Sequence, residues 1–330
     1  MKKDIFIFKD GELKRKDNTI LFLGEEQQKY LPIEQVDAIW VFGEVTLNKR
    51  FLEIISTKEI CIHFFNHYGY YLGTYYPREH LNSGLVILKQ VNLYSQDSMR
   101  MPVAKEIIKT AVKNILIVLK YYRSRSKLVS SGIETIESMA TQIEKCQDIN
   151  ELMAYEGNIR GVYYQNFNDI IDNDNFQFIK RSKRPPLDGI NALISFGNSL
   201  MYTSVLSEIY KTHLDPRIGI LHATNGRKFS LNLDIAEVFK PIVVDRIIFN
   251  LINRKVITEK DFKKQTHGTM LTEKGKKKFL KEYTDKMMST IKHPRLNQYV
   301  TYKRLIRLEL YKIQRHIVEG DNYKGFVARW

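Results

Sequence analysis

Read as one helix, Ser230 to Arg246 spaces Asp234, Glu237, Pro241 and Asp245 by three, four and four residues. At about 100° per residue these positions share one face. Leu231, Leu233, Ile235, Val238, Phe239 and Ile242 fill much of the remaining circumference, so the helix is expected to be largely buried. Three carboxylates along a buried stripe repel one another unless a cation, an arginine or a proton intervenes. Arg227, Lys240 and Arg246 are close enough in sequence to pair with them. A divalent metal ion is the other solution. His222 points to it, because it ends an apolar run just upstream, in a loop containing Asn225-Gly226-Arg227. Imidazole beside an acidic helix face suits such an ion. Glu156 offers a further carboxylate on another expected helix, with Arg160, Tyr163 and Tyr164 following at i+4, i+7 and i+8. A surface salt bridge to Arg160 is its plainer role. Gly157 comes next although glycine is a poor helix former, which suggests a close backbone approach at that point.

Two kinds of element must position these residues. The first 80 residues carry short runs rich in β-branched and aromatic residues: Ile5 to Phe8, Ile20 to Leu23, Val36 to Phe42, Ile60 to Phe65 and Tyr70 to Tyr76. Asp10-Gly11, Gly24 and Tyr68-Gly69 punctuate them, so a small, mostly antiparallel sheet domain is expected, interrupted by one helix near Asn48 to Ser56. After Pro77-Arg78-Glu79-His80 the apolar period becomes helical. Helices are expected at Val103–Tyr122, Ser131–Lys145, Ile149–Ile170, Asp188–Lys211, Ser230–Asn253, Glu273–Thr290 and Asn297–Glu319. The expected class is therefore α+β: a β-rich domain over 1–80 followed by an all-α domain over 81–330, with the boundary near 76–86. Asp172 to Pro186 breaks the helical half. It ends Lys180-Arg181-Ser182-Lys183-Arg184-Pro185-Pro186, a basic loop that is either a solvated linker or a nucleic-acid contact. Leu214 to Gly219 is a turn-rich connector leading to His222.

The formal charge of the 330-residue chain is +15, from 52 Lys and Arg against 37 Asp and Glu. Such a field attracts polyanions, nucleic acid first among them. Cys61 and Cys146 lie far apart without CxxC spacing, which excludes a thiolate zinc site and favours a reducing, cytoplasmic setting. The apolar stretch Ile5 to Phe8 is too short for a signal peptide. No stretch approaches the roughly 18 apolar residues of a membrane span.

Three separated motifs make the chain resemble the CRISPR-associated spacer-integrating endonuclease family. The first is Glu156-Gly157-Asn158-Ile159-Arg160-Gly161-Val162-Tyr163-Tyr164, and the second is Gly219-Ile220-Leu221-His222. The third runs from Gly226-Arg227 through Ser230-Leu231, Asp234, Glu237, Phe239 and Pro241 to Asp245-Arg246. It departs from the family pattern by one extra residue between Arg227 and Ser230 and by Lys240 in place of arginine. The run from Leu52 to Leu72, with Ile60 to Phe65 and Gly69, resembles the family's sheet domain.

The resemblance implies that Glu156, His222 and Glu237 are the metal ligands and catalytic centre, with Asp234 in support. It implies Mg²⁺ or Mn²⁺ as cofactor, and that ion set also suits mixed carboxylate and imidazole ligands. The implied reaction is insertion of short duplex DNA into a CRISPR array by in-line displacement at phosphorus. A metal-dependent nuclease for branched DNA in repair uses the same chemistry, and a non-catalytic nucleic-acid scaffold would need only the charge. Lys180, Arg181, Lys183, Arg184, Arg227 and Arg246 are the candidate DNA contacts. The implied partners are double-stranded DNA, a second copy of the chain, and the small second CRISPR-associated adaptation protein; no membrane is expected.

Overall fold

In the computed structural model, the described residues are 2–25, 27–77, 81, 83–224, 229–266, 268–293 and 296–329. The chain divides into two compact units, 1–82 and 83–330.

The first unit holds two four-stranded sheets. One orders its strands β1 (Lys3–Ile7), β5 (Val36–Val41), β7 (Cys61–Phe65) and β8 (Tyr71–Tyr75) side by side. The other runs β4 (Gln28–Pro32), β3 (Thr19–Gly24), β2 (Gly11–Lys16) and β6 (Val45–Leu47). The expectation of mostly antiparallel pairing is corrected here. β5 pairs in parallel with both β1 and β7, and β2 pairs in parallel with β6. For β5 and β7 the crossover contains the helix α1 (Lys49–Thr57), and for β1 and β5 it is the excursion through β2, β3 and β4; parallel neighbours require such long connections. Asn48 starts α1 by accepting the Phe51 N–H at 3.0 Å, and Phe51, Ile54 and Ile55 bury its apolar face. They join Leu13, Ile20, Ile33, Ile39 and Ile62 in one core.

The second unit is helical: α2 (Gly84–Ser95), α3 (Asp97–Arg123), α4 (Ser130–Ala140), α5 (Ile149–Gln165), α6 (Phe167–Ile170) and α7 (Gly189–Ile209). Then come α8 (Leu231–Phe239), α9 (Arg246–Asn253), α10 (Glu273–Met288) and α11 (Tyr302–Glu319). Two short hairpins qualify the all-α expectation: β9 (Phe262–Gln265) with β10 (Gly268–Leu271), and β11 (Thr290–Lys292) with β12 (Tyr299–Thr301). α2 carries no clean apolar period, which is why the sequence reading passes over it. Its Leu85 and Leu88 are exposed while Val86, Gln90 and Leu93 are buried.

α7 is the axis of this unit. It is apolar on nearly every side and buried along almost its whole length, as a helix at the centre of a bundle must be. α8, α10 and α11 surround it, and a Cβ at Gly197 would stand 2.5 Å from Val244 Cγ1 and 2.8 Å from Phe279. The single helix expected over Ser230–Arg246 is instead α8, a π-helical turn over Pro241–Asp245, and α9. Pro241 has no N–H, and the Asp245 N–H reaches back five residues to the Lys240 carbonyl at 3.1 Å. A wider turn uses more residues per revolution, so Asp245 returns towards the side of Glu237.

Candidate active site

The loop before α8 is held from both sides. Asp234 on α8 is fully buried, and its two oxygens accept the N–H groups of Ile220 (2.5 Å), Leu221 (3.0 Å) and His222 (2.9 Å). The same carboxylate meets His222 Nδ1 at 2.7 Å. From the opposite side Arg100 on α3 donates to the Ile220 carbonyl at 2.5 Å, and Gln90 on α2 donates to the carbonyls of Asp215 and Ile218. Gly219 allows the closeness, since a Cβ there would stand 2.8 Å from Ser230 and 2.9 Å from Asp234 Oδ2. Burial opposes a charge on His222, but the Asp234 hydrogen bond and the Asp234 and Glu237 charges outweigh it and raise the imidazole above its usual value. Fixing Nδ1 in this way leaves Nε2 as the nitrogen for chemistry.

Glu156 on α5 and Glu237 on α8 are joined by Arg160. Its Nε donates to Glu156 Oε1 at 3.2 Å, and its Nη2 donates to Glu237 Oε2. The other Glu237 oxygen accepts from Lys240, which also approaches the Tyr202 hydroxyl at 3.4 Å. Burial would push the Glu237 carboxyl up, yet Arg160, Lys240 and His222 together hold it down at about 2. Those acids in turn keep both buried cations charged. Burial works to lower Arg160 and Lys240, but both are raised above their usual values, Glu237 contributing most to the rise in each case. Asp245, brought round by the π turn, differs. Burial pushes it up to about 6, against the pull of Arg160, Lys240 and the Tyr163 hydroxyl.

The expected mutual repulsion of the acidic stripe is therefore not the state of the site: Asp234 and Glu237 each have their own neutralising partners. The salt bridge expected between Glu156 and Arg160 forms, but it is not a surface pair. Arg160 is buried and binds a second carboxylate from another helix. Gly157 faces open space. A methyl group on its Cα would meet nothing within 4 Å, so no packing among the described residues requires a glycine at this point.

Comparison with known proteins decides the lineage. The family model for CRISPR associated protein Cas1 matches residues 5–285. The chain belongs to the Cas1 family. It is 54% identical to a CRISPR-associated endonuclease Cas1 of Thermodesulfovibrio yellowstonii over 100% of both chains. The solved structure of a Cas1 protein from Thermotoga maritima superposes with a TM-score of 0.87 at 46% identity, covering 99% of this chain and 100% of that one. Two more distant structures share the fold. One is a casposase bound to integration product, with a TM-score of 0.87 at 19% identity over 98% of this chain and 92% of that one. The other is a Cas6-RT-Cas1–Cas2 complex, with a TM-score of 0.86 at 16% identity over 100% of this chain and 36% of that one.

The metal ion implied for a Cas1-family chain can be tested against these residues. Two carboxylates and an imidazole already oriented by a carboxylate are chemically suited to a small divalent ion. The arrangement of side chains does not gather them as a ligand set: among the described residues no three of His, Cys, Asp and Glu group closely enough to hold an ion. Arg160 and Lys240, engaging both oxygens of Glu237, are the visible reason.

The basic loop of this Cas1-family chain divides into anchors and exposed charges. Buried Phe176 and Phe178 fix it, the latter through paired hydrogen bonds with Asn168 at 2.7 and 2.9 Å. Arg181 turns inward and donates to Asn191 at 2.8 Å and Ser195 at 3.0 Å on α7. Lys180, Lys183 and Arg184 are exposed. Lys183 faces the acidic centre: burial, Arg181 and Lys240 lower its ammonium while Glu156 and Glu237 oppose them. Arg246 packs on Tyr121, and Arg227 lies outside the described residues. Sequence reasoning missed the central part of Arg160 and Lys240, which it offered only as pairing partners, and the loop anchors Arg100 and Gln90. Arg160 lay in the first motif and was within reach; the two anchors come from 120 or more residues away in the chain and leave no local signal.

Proposed function

We propose that this Cas1-family chain is a CRISPR adaptation integrase and DNA endonuclease that joins short duplex DNA to a CRISPR repeat by transesterification at a phosphodiester. The observation that carries it is the end-to-end alignment with a named Cas1 endonuclease; it is supported by Arg160 joining Glu156 to Glu237 and by the Glu237 charge acting on His222. With Arg160 and Lys240 withdrawn from Glu237, the three side chains Glu156, His222 and Glu237 would hold Mg²⁺ or Mn²⁺. A bound ion would polarise the scissile phosphodiester and offset charge on the attacking and leaving oxygens.

The chain's own groups do the rest. Asp234 keeps the His222 imidazole in one orientation and pins the backbone that carries it. Arg160 and Lys240 place two permanent positive charges beside the carboxylates, where they can neutralise a phosphate drawn into the site. Lys183 adds a third at the rim. In the joining reaction a 3′-hydroxyl of the incoming DNA is the nucleophile; water in its place gives cleavage. The casposase bound to integration product supports the joining chemistry through shared fold. The Cas1–Cas2 assembly supports the small second adaptation protein as partner, and a homodimer paired through the strand-rich unit completes the proposed assembly. Among the described residues no helix is long and apolar enough to cross a membrane.

A strand-transfer assay with labelled duplex and a repeat-containing plasmid tests the reading. Joined strands in the presence of Mg²⁺ or Mn²⁺ are expected, and cut strands alone would instead indicate a branched-DNA nuclease. His222→Ala is expected to abolish cleavage and joining while leaving DNA affinity nearly intact, since affinity comes mostly from Lys and Arg on phosphates. Full activity of that variant would remove His222 from the site.

A further inference from the structure

Arg246 opens α9 directly after Asp245, and its guanidinium lies 4.7 Å from the centre of the Tyr121 ring on α3. Arg125, just beyond the end of α3, reaches the same ring at 4.5 Å. In the last turn of α10, the Lys286 ammonium lies 3.9 Å from the centre of the Tyr302 ring, which begins α11. Arg246 connects the two halves, because its charge acts on Lys286, Tyr302 and Tyr122 alike. Arg125 and Arg246 thus share one ring, and the Arg246 charge is felt at Lys286 on the other.

Some buried or half-buried cations of this unit meet carboxylates, as Lys278 meets Asp261 and Arg307 meets Glu208, and others meet neutral oxygens, as Arg100 and Arg181 do. Among the described residues neither Arg125 nor Lys286 has a carboxylate within ion-pair distance; each rests on an aromatic ring instead. A ring quadrupole attracts a cation weakly, by about 0.5–2 kcal/mol, and cancels none of its charge. Like charges gathered this way repel, so an anion would stabilise the cluster more than the rings do. Lys286 feels this directly: burial and the neighbouring Arg246 bring its ammonium down to about 8. Arg125 is exposed, Lys286 half-buried and Tyr302 buried, so the cluster runs from the surface inward.

We infer that Arg125, Arg246 and Lys286, seated on Tyr121 and Tyr302, form a phosphate-binding site that grips the sugar–phosphate backbone of DNA. A phosphate oxygen is the fitting ligand, because guanidinium and ammonium donors match it and the ring faces are already engaged by the cations. The inference rests on the reading of the chain as a DNA-acting enzyme.

The test is the salt dependence of duplex binding, measured by fluorescence anisotropy on the full-length protein, with melting curves alongside. Arg125→Gln and Lys286→Gln are each expected to weaken binding and to reduce the slope of log K against log salt by about one. Lys286→Arg should keep both affinity and slope. Arg125 is exposed, so its variant carries the test even if Lys286→Gln melts early. Slopes equal to wild type in Arg125→Gln and in a folded Lys286→Gln, with the wild-type slope itself steep, would overturn the site and leave the DNA-acting reading standing. No affinity of the wild-type protein for duplex would overturn that reading and the site together. Calorimetry with inorganic phosphate separates the remaining source: phosphate binding lost in Lys286→Gln with an unchanged DNA slope would mark a site for free phosphate and overturn the backbone assignment.

Discussion

Asp234 and Glu237 stand three residues apart on α8 and hold different things. Asp234 accepts three backbone N–H groups and touches the imidazole, so it supports a loop. Glu237 touches no backbone in this way and lies between two side-chain cations. Both substitutions to the amide are therefore expected to destabilise, contrary to what a repelling stripe of acids would give. Glu237→Gln leaves Arg160 and Lys240 buried without their shared carboxylate, a loss of about 3 kcal/mol or more. Asp234→Asn exchanges an acceptor-only carboxylate for a group with one acceptor oxygen, at about 2 kcal/mol or more. Thermal melts in chelator check both. In metal titrations of strand transfer, Glu237→Gln is expected to stay inactive, whereas Asp234→Asn should lose about 10–100-fold in metal affinity and recover in part with excess Mn²⁺. Rescue of Glu237→Gln with a dead Asp234→Asn would exchange their roles. The pH dependence follows from the direction of the shift. The Glu237 carboxyl, held at about 2 against 4.5 when unperturbed, adds stability that is complete above 4.5 and is lost as pH falls towards 2. The acid limb of the stability curve should accordingly flatten in Glu237→Gln. His222 has the opposite sign: its raised value adds stability below its unfolded value that fades as pH rises through the folded one.

At the scale of elements, two glycines give opposite expectations. Gly197 lets α7 close onto the π turn and α10, and a methyl group there would overlap Val244 and Phe279. Gly197→Ala is expected to cost about 1–3 kcal/mol by overpacking and to disturb Asp245 and Glu237 through the π turn. Gly157 faces open space in the middle of α5. Gly157→Ala should stabilise by about 0.5–1 kcal/mol through helix propensity. If activity nevertheless falls in Gly157→Ala while its melting temperature rises, a ligand backbone, not another part of the chain, approaches that position. Urea melts paired with strand-transfer rates read both effects. The basic loop is a third element with divided roles. Arg181→Gln should lower stability because Asn191 and Ser195 lose their donor, while Lys180→Gln and Arg184→Gln should leave the melt unchanged and reduce only DNA affinity. Equal melts for all three would show that Arg181 does not anchor the loop.

At the scale of the molecule, every residue of the acidic centre belongs to the second unit, and the first has a core of its own. A chain beginning at Ser83 is expected to melt cooperatively and to keep the His222–Asp234 contact, which the imidazole resonances would report by their titration above the usual range. A non-cooperative melt would show that the strand-rich unit is needed to hold the helical one. The charge of +15 also acts at this scale, since it would draw DNA to a surface whose proposed catalytic residues are largely acids. Binding of the whole protein should weaken steeply with salt, while single-turnover joining of already bound DNA should change far less.

What the sequence determined by itself was whatever depends on local order. Apolar period marked most of the helices, the change of period marked the two classes of structure, and three short motifs placed Glu156, His222 and Glu237 in a family that the full-length comparison then confirmed. What only the tertiary structure decided depends on groups far apart in the chain. Parallel pairing of β5 with β1 and β7 requires knowing which strands meet after the chain crosses over, and alternation within a strand carries no such information. The fate of each acid was likewise undetermined by its spacing. Arg160 comes 77 residues before Glu237, and Arg100 comes 120 residues before the loop it anchors. A carboxylate's charge, partners and exposure are set by whatever packs against it, and packing joins residues without regard to their distance along the chain.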